Sequence, residues 1–551
     1  MMKTTIKYLY TGVAAVMMLS GCIKEAFPTD RVLEDQVSVE TLIKGIPAAL
    51  VMPGSTGYAS PWDFSMPAVH LAMESMTGDL IVTGSTNYDW FQQWGMNDAL
   101  GPEYAVGAIF WLNYYNWIKS ANDVIRMLGA SDMGELSATD KTYLGLAYAY
   151  RAMFYFDLTR MYEFRKNKYT EADDVLGLAV PLVLPSTTES DAKDNPRITV
   201  DDMYGNLIFP DLERALSLLK TQGQADKYTI RVPVLYGMLA RAWLERGTAY
   251  ADAGDDSKSR EAYGKAADYA RQAIVSSGCT PLTQEEWEDP SNGFNNAVSN
   301  NSWMWGLAMP SESVVNLLCF TAHMSTENDW SAYGNDTGRG INRNLYNSID
   351  RNDFRKHSWL DPDRSFYDYK SCRDDGDKYF SEKLKDYTNI KFRPAQGAYK
   401  DYTVGGAADH VMMRVEEMYF IEAEAKGHLN PGEGVTLLND FMNSYRMTNG
   451  ARYDCSSKVN GKEDAFIREL MLQKRIEFWG EGIVMFDMKR LDQSTKRGYP
   501  GTNAPPSYRL NTDGRAPYWN FCIPRSEEQN NTAVMKQRNP DPSGKVPVWN
   551  G

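Results

Sequence analysis

Apolar residues recur at helical spacing over most of the chain. Residues 39–50 and 110–128 each carry such a stripe. Residues 143–162 are apolar almost all round (Leu144, Leu146, Tyr148, Met153, Phe154, Leu158, Met161), which predicts a helix buried between neighbours. Thr199-Val200-Asp201-Asp202 has the form of a capping-box start. It opens a run with Tyr204, Leu207, Ile208, Leu212, Ala215, Leu216 and Leu219 on one face, which Pro210 is expected to kink or shorten. Pro233 suits the first turn of a helix through Leu235, Leu239, Ala242 and Trp243 that ends near Gly247. Its partner carries Tyr263, Ala266, Ala267, Ala270, Ala273 and Ile274 and stops before Gly278.

Such a pair, about 34 residues long with small residues at the close approaches, resembles a tetratricopeptide repeat. The expected fold is therefore mostly α, a helical-repeat superhelix carrying a loop-rich, irregular face. From about residue 281 to 406 the helical period disappears and Gly, Asn, Asp, Ser and aromatics dominate. An ordered stretch of that length without strong periodicity is usually functional. Helices return at 410–426, 434–447 and 462–479, and the tail from 500 to 551 is rich in Pro and Gly. One domain is expected over 22–551, its frame at about 36–280 and 407–500 and the loop-rich insertion between them.

Composition narrows the function. Fifty-eight Lys and Arg against 72 Asp and Glu give a net charge of −14, which argues against non-specific nucleic-acid binding. The mean hydropathy of −0.48 excludes a multi-span membrane protein. Aromatics nevertheless make up 12% of the chain, high for so polar a sequence. Residues 1–21 read as a targeting signal: Lys3 and Lys7, then an apolar run from Tyr8 to Leu19 too short to span a bilayer. The run ends in Leu19-Ser20-Gly21-Cys22, which resembles the lipobox of bacterial lipoproteins; cleavage would leave Cys22 first and acylated, a firm multi-chain anchor. The other five cysteines are scattered without a CxxC pair and form no disulfide framework.

Further segments resemble one family, the SusD/RagB outer-membrane lipoproteins. Trp111-Leu112-Asn113-Tyr114 through Ile118 to Ala121-Asn122 is similar to its W-x-x-Y-x-x-I-x-x-A-N helix, with one extra residue. Arg151-Ala152 through Tyr155-Phe156 to Leu158, then Val180-Pro181-Leu182, resembles R-A-x-x-Y-F-x-L … V-P-L. Asp353-Phe354-Arg355 resembles the D-x-R turn, and Arg414 through Glu424-Ala425 resembles R-L-A-E-x-Y-L-x-x-A-E-A. Arg475 through Glu481-Gly482, then Asp487 to Arg490, is similar to E-R-x-x-E-F-x-G-E-G … D-L-x-R, and Ile523-Pro524 with Asn530-Asn531 to the closing I-P-x-x-E … N. Lys474 departs from the pattern where the family tends to have Glu, and few acidic residues follow Cys22. The resemblance implies a lipid-anchored outer-membrane protein facing the exterior, not an enzyme. It would capture oligosaccharide and pass it to a SusC-like TonB-dependent transporter. A binder of peptide or another nutrient on the same frame is the alternative. A glycoside hydrolase and a protein-only scaffold stand further back.

The residues themselves bear on these readings. Glu477 and Glu481 lie one helical turn apart, near the carboxyl separation of a retaining glycosidase. Both sit on one helix flank beside arginines, so an ion-pair network is the expected role, as it is for Glu422 and Glu424. HExxH, G-x-S-x-G and P-loop signatures are missing from the sequence. No cofactor is expected. Cys319 and His323 share a helical spacing, but two ligands do not make a zinc site. Asp361, Asp363, Asp374, Asp375 and Asp377 lack EF-hand spacing, so Asp-rich turns are expected there, with a structural Ca²⁺ the lesser reading. Aromatics remain. A neutral sugar offers C–H faces to flat rings and hydroxyls to amides and carboxylates. Residues 88–94 and 327–335 hold both kinds of group. Trp90 and Trp330 are the expected stacking platforms with Trp94 and Tyr333 beside them, and Gln93, Asn328 and Asn335 the hydroxyl partners.

Overall fold

A computed structural model describes residues 38–54, 56, 61–84, 89–129, 131–220, 226–291, 293–294, 300–310, 317–364 and 367–551. The segment 1–21 expected to be a targeting signal, Cys22 and Tyr88 lie outside the described residues.

The chain opens with α1 (Val39–Ala49), whose first turn is capped by the Ser38 hydroxyl. Next comes α2 (Met66–Ser75), with all ten residues buried. No helical stripe marks α2, because a helix enclosed on every side has no polar face to reveal its period. Strand β1 (Leu80–Val82) follows, then the long helices α3 (Ala105–Leu128) and α4 (Ala138–Tyr162). The expected all-round burial of α4 is present: fifteen of its residues are buried, including Tyr150, Phe154 and Tyr155. Strands β2 (Leu178–Pro181) and β3 (Arg197–Thr199) pair antiparallel. Thr199 then caps the next helix by accepting from the Asp202 N–H at 3.0 Å. Pro210 neither breaks nor stops that run. A π-turn over Tyr204–Ile208 sets Pro210 in the first turn of α5 (Phe209–Leu219), where its missing N–H costs no bond.

Helices α6 (Val232–Asp252) and α7 (Asp256–Ser277) form the expected pair, with Pro233 in the first turn and Gly278 capping at φ +67°. The expected stop at Gly247 is corrected. A Cβ there would come within 2.6 Å of the Tyr263 ring, so Gly247 makes room for α7 and the helix runs on to a turn at Gly254, φ +74°. The described residues of 281–406 form short helices and two strands, β4 (Trp303–Leu307) and β5 (Arg339–Ile341). The helix expected at 410–426 is corrected as well. Residues His410–Arg414 are strand β6, paired antiparallel with β4, and α8 (Val415–Leu429) starts only afterwards. A short apolar run does not distinguish a strand from a buried helix start. Helices α9 (Pro431–Tyr445), α10 (Glu463–Glu477) and α11 (Val484–Arg490) complete the frame.

Helices pack in sequence as in a repeat stack: α3 on α4, α4 on α5, α6 on α7, α7 on α8, α8 on α9. The motif residues hold this stack together from inside. Arg151 pairs with Asp211 at 2.7 Å and donates to the Asn122 amide at 2.9 Å; Asn122 in turn donates to the Val183 carbonyl. Lys489 is buried and donates to the carbonyls of Arg160, Met161 and Glu163, satisfying the open end of α4. Arg497 does the same for Ser75 at the end of α2. No described helix is long and apolar enough to cross a membrane.

Candidate functional site

The antiparallel pair β1–β5 places the two aromatic segments beside each other. Leu80 faces Ile341 and Val82 faces Arg339, and the ladder continues through Thr83 to Gly338 and Gly84 to Thr337. Trp90 lies just after β1 and Tyr333 just before β5. Asp89 fixes the first segment: its carboxylate accepts from Arg339 at 2.8 Å and from the Tyr508 hydroxyl. Trp90 and Tyr333 meet edge to face with ring centroids 6.0 Å apart, and both are half-buried. Tyr333 lies flat on His323, 4.6 Å between centroids with planes 5° apart; Phe64 stacks nearby on the same imidazole at 5.3 Å, and Phe91 meets it edge-on. Burial, reinforced by the Arg339 charge, holds His323 neutral, well below the usual imidazole range. It serves as an aromatic plate under Tyr333. Its neighbour Cys319 is buried in a small apolar cluster with Ala322, against which Trp330 and Tyr333 both pack.

Trp330 is half-buried, and the turn bearing it is clamped from the insertion. The Asp329 N–H donates to the Tyr399 carbonyl at 2.8 Å. The Arg373 guanidinium donates to the Glu327 carbonyl and to Asp329, and lies against the Tyr379 and Tyr399 rings at 3.8 and 4.6 Å. Among the described residues, Trp90 Nε1, Trp330 Nε1 and Gln93 Oε1 have no hydrogen-bond partner. Each of these atoms is itself buried, although the side chain that bears it is only half-buried. A buried cavity of about 60 Å³ lies inside the helical frame, between Asp157, Arg241, Glu245, Glu417 and Arg490, and shares no lining residue with these aromatic segments.

Two expected ligand residues are corrected. Trp94 is 1% exposed and stacks on Phe110 at 5.4 Å, so it belongs to the core beneath Trp90. Asn328 is fully buried, donating to the Ser325 carbonyl and accepting the Ser331 N–H, both at 2.7 Å; it shapes the turn that carries Trp330. Asn335 is half-buried and engaged at both ends, by the Asn328 carbonyl and the Tyr379 hydroxyl. Trp90, Gln93, Trp330 and Tyr333 are half-buried. His323, Arg373, Tyr379 and Tyr399 were not singled out for this role. Their only trace in the sequence is that Arg373 stands in the Asp-rich stretch and that Tyr is dense from 367 to 402. The aspartates of that stretch act in turns and ion pairs: Asp361 accepts from Tyr346, Asp374 pairs with Lys400, and Asp375 pairs with Arg373.

The Glu477–Glu481 pair lies in the interior. Glu477 accepts from Arg355, Arg414 and Arg446, and Glu481 from Arg414 and Lys391, with every member buried. Burial alone would raise the Glu477 carboxyl, but Arg446, Arg414 and Arg355 together hold it well below the usual carboxylate range. Glu424 is similarly held by Arg490 and Lys474. A polysaccharide could not reach any of these groups.

Comparison with known proteins adds the family. A model of the SusD family matches residues 283–541, and one described as starch-binding associating with outer membrane matches residues 56–244. Among solved structures, a SusD-like carbohydrate binding protein from Bacteroides vulgatus superposes with a TM-score of 0.68 at 22% identity, covering 91% of this chain and 98% of that one. Surface glycan-binding protein A from Bacteroides uniformis gives 0.60 at 18% identity over 91% and 98%. Its namesake from Bacteroides thetaiotaomicron, in complex with laminarihexaose, gives 0.59 at 16% over the same shares. Among curated proteins none matches this chain.

Proposed function

The chain belongs to the SusD/RagB family, and on that premise we propose that it is a glycan-binding lipoprotein of the outer membrane. It captures oligosaccharide on the Trp90–Tyr333–Trp330 face and passes it to a TonB-dependent transporter. The observation that carries this reading is the juxtaposition made by β1 and β5. Two loop segments over two hundred residues apart bring half-buried aromatic rings together, Trp90 against Tyr333 and Trp330 on the same small apolar cluster as Tyr333. Rings suit sugar faces and amides suit hydroxyls. The glycan complex of a structural relative supports the ligand class, and the lipobox-like sequence that ends in Cys22 supports the location. The interior position of the Glu477–Glu481 pair supports binding without hydrolysis.

Each ring contact contributes roughly 0.5–1.5 kcal/mol, so affinity rests on several together. Binding is expected in the micromolar to millimolar range, about −8 to −4 kcal/mol, which allows fast release to a channel. Calorimetric titration of a panel of neutral oligosaccharides is the test. Trp90→Ala and Trp330→Ala should each weaken binding about three- to ten-fold, with circular dichroism unchanged. Undiminished affinity in the double variant would place the ligand elsewhere.

A further inference from the structure

The groups around Trp330 bear on which glycans the face accepts, an inference that rests on the binding reading above. Among the described residues three cations stand against this turn, and each is already paired; the buried Arg393 holds Glu327 at 2.6 Å. Arg373 reaches Asp329 at 2.5 Å and Asp375 at 2.8 Å, and its own side chain is only 7% exposed. Lys400 pairs with Asp374 at 2.9 Å, and that carboxylate also accepts the Tyr399 hydroxyl at 2.8 Å. Three carboxylates on Arg373 and Lys400 leave this linked cluster with a net negative charge. Asp329, Asp374 and Asp375 are exposed, whereas Arg373 is covered by the Tyr379 and Tyr399 rings. Asp336, at the end of the short helix Ala332–Asn335, is exposed as well. Among the described residues next to Trp90 in the chain, Gln92 and Gln93 are uncharged and half-buried, and the Asp89–Arg339 pair is sealed inside.

We infer that the face selects neutral oligosaccharides and rejects those bearing carboxylate or sulfate groups. A uronate or sulfate laid on Trp330 would meet carboxylates whose cationic partners are already occupied. The tightest clamp, Arg373, has its donors spent on Asp329, Asp375 and the Glu327 carbonyl. It becomes an anion receptor only when those acids are removed.

The experiment compares a neutral oligosaccharide that the protein binds with its C6-carboxylate and its sulfated derivatives, by calorimetry at low and high salt. The charged derivatives should bind about ten-fold or more weakly near 0.01 M salt, where the screening length is about 30 Å, and the gap should close near 1 M, where it is about 3 Å. Asp329→Asn together with Asp375→Asn frees Arg373 and should shift the ratio toward the anionic ligands. Equal or tighter binding of the charged derivatives by the unaltered protein overturns this selectivity and leaves glycan binding standing. Absence of binding by every member of the panel overturns both.

Discussion

Glu477 receives three guanidinium groups inside the protein, and that arrangement makes its removal costly. Neutralising it leaves Arg355, Arg414 and Arg446 partly unpaired where water cannot compensate. Glu477→Gln should lower the unfolding free energy by about 3–5 kcal/mol, read by urea denaturation; a change near zero would mean the arginines find other partners. Its folded-state proton affinity is depressed, so its contribution is present above the unfolded carboxyl value of about 4.3 and is lost as the pH falls toward the lower folded value. His428 has the opposite sign. Burial lowers its proton affinity, but Glu424 on its own helix and Glu463 on α10, 2.8 Å from Nδ1, raise it further than burial and Arg490 lower it. Tyr263 of α7 stacks on the ring at 4.1 Å. The stabilisation is therefore complete below the unfolded imidazole value of about 6.5 and is lost as the pH rises through the higher folded value. The stability gap between the wild type and His428→Gln should be wider near pH 6 than near pH 9; a gap that does not change with pH would dissociate His428 from the ion pair.

At the scale of elements, glycine marks where helices approach most closely. A Cβ on Gly427 of α8 would lie 1.9 Å from the buried Phe466 ring, and one on Gly434 of α9 would lie 2.5 Å from the same ring. Gly427→Ala should therefore cost about 1–3 kcal/mol or more. Gly264, midway along α7, has open space around its missing Cβ, so Gly264→Ala should gain about 0.5–1 kcal/mol. A thermal-melt comparison of the two checks both signs. The same contrast explains what was legible in the sequence. The α6–α7 pair shows itself because Ala266, Ala270 and Ala273 repeat on a helix that keeps a polar face. Helix α2 and strand β6 do not, because every one of their residues is buried and no period survives. At the candidate site the aromatic and amide content of both segments was legible. The direction of Trp94, which follows Phe91 onto Phe110, and of Asn328, spent on its own turn, was not. Both depend on partners far along the chain or on a turn geometry that composition does not reveal.

For the molecule as a whole, we propose that the two parts of the helical frame and the loop-rich insertion form one unit, because their open ends are closed by distant residues. The carbonyl end of α4 is satisfied by Lys489, that of α2 by Arg497, and Asp79 after α2 by Arg475. Gly237 of α6 leaves room for Met413 of β6 and Met418 of α8, and the main apolar core includes residues from Ile43 to Val546. The insertion is tied in on both sides, by β1–β5 and by β4–β6. A fragment ending at residue 280 would keep every helix of the first repeats by sequence. It would lose the groups that satisfy their termini and the surface that covers α6 and α7. Groups left without partners cost about 1–3 kcal/mol each, and several such losses together with the uncovered α6 and α7 surface become comparable with the 5–15 kcal/mol by which a folded protein is stable. The fragment 22–280 should therefore retain far-ultraviolet helical signal while losing near-ultraviolet aromatic signal and a cooperative melt. A sharp, reversible transition of that fragment would mean that the N-terminal repeats form a domain of their own, with the Trp90 segment carried on it and the Trp330 segment on a separate body.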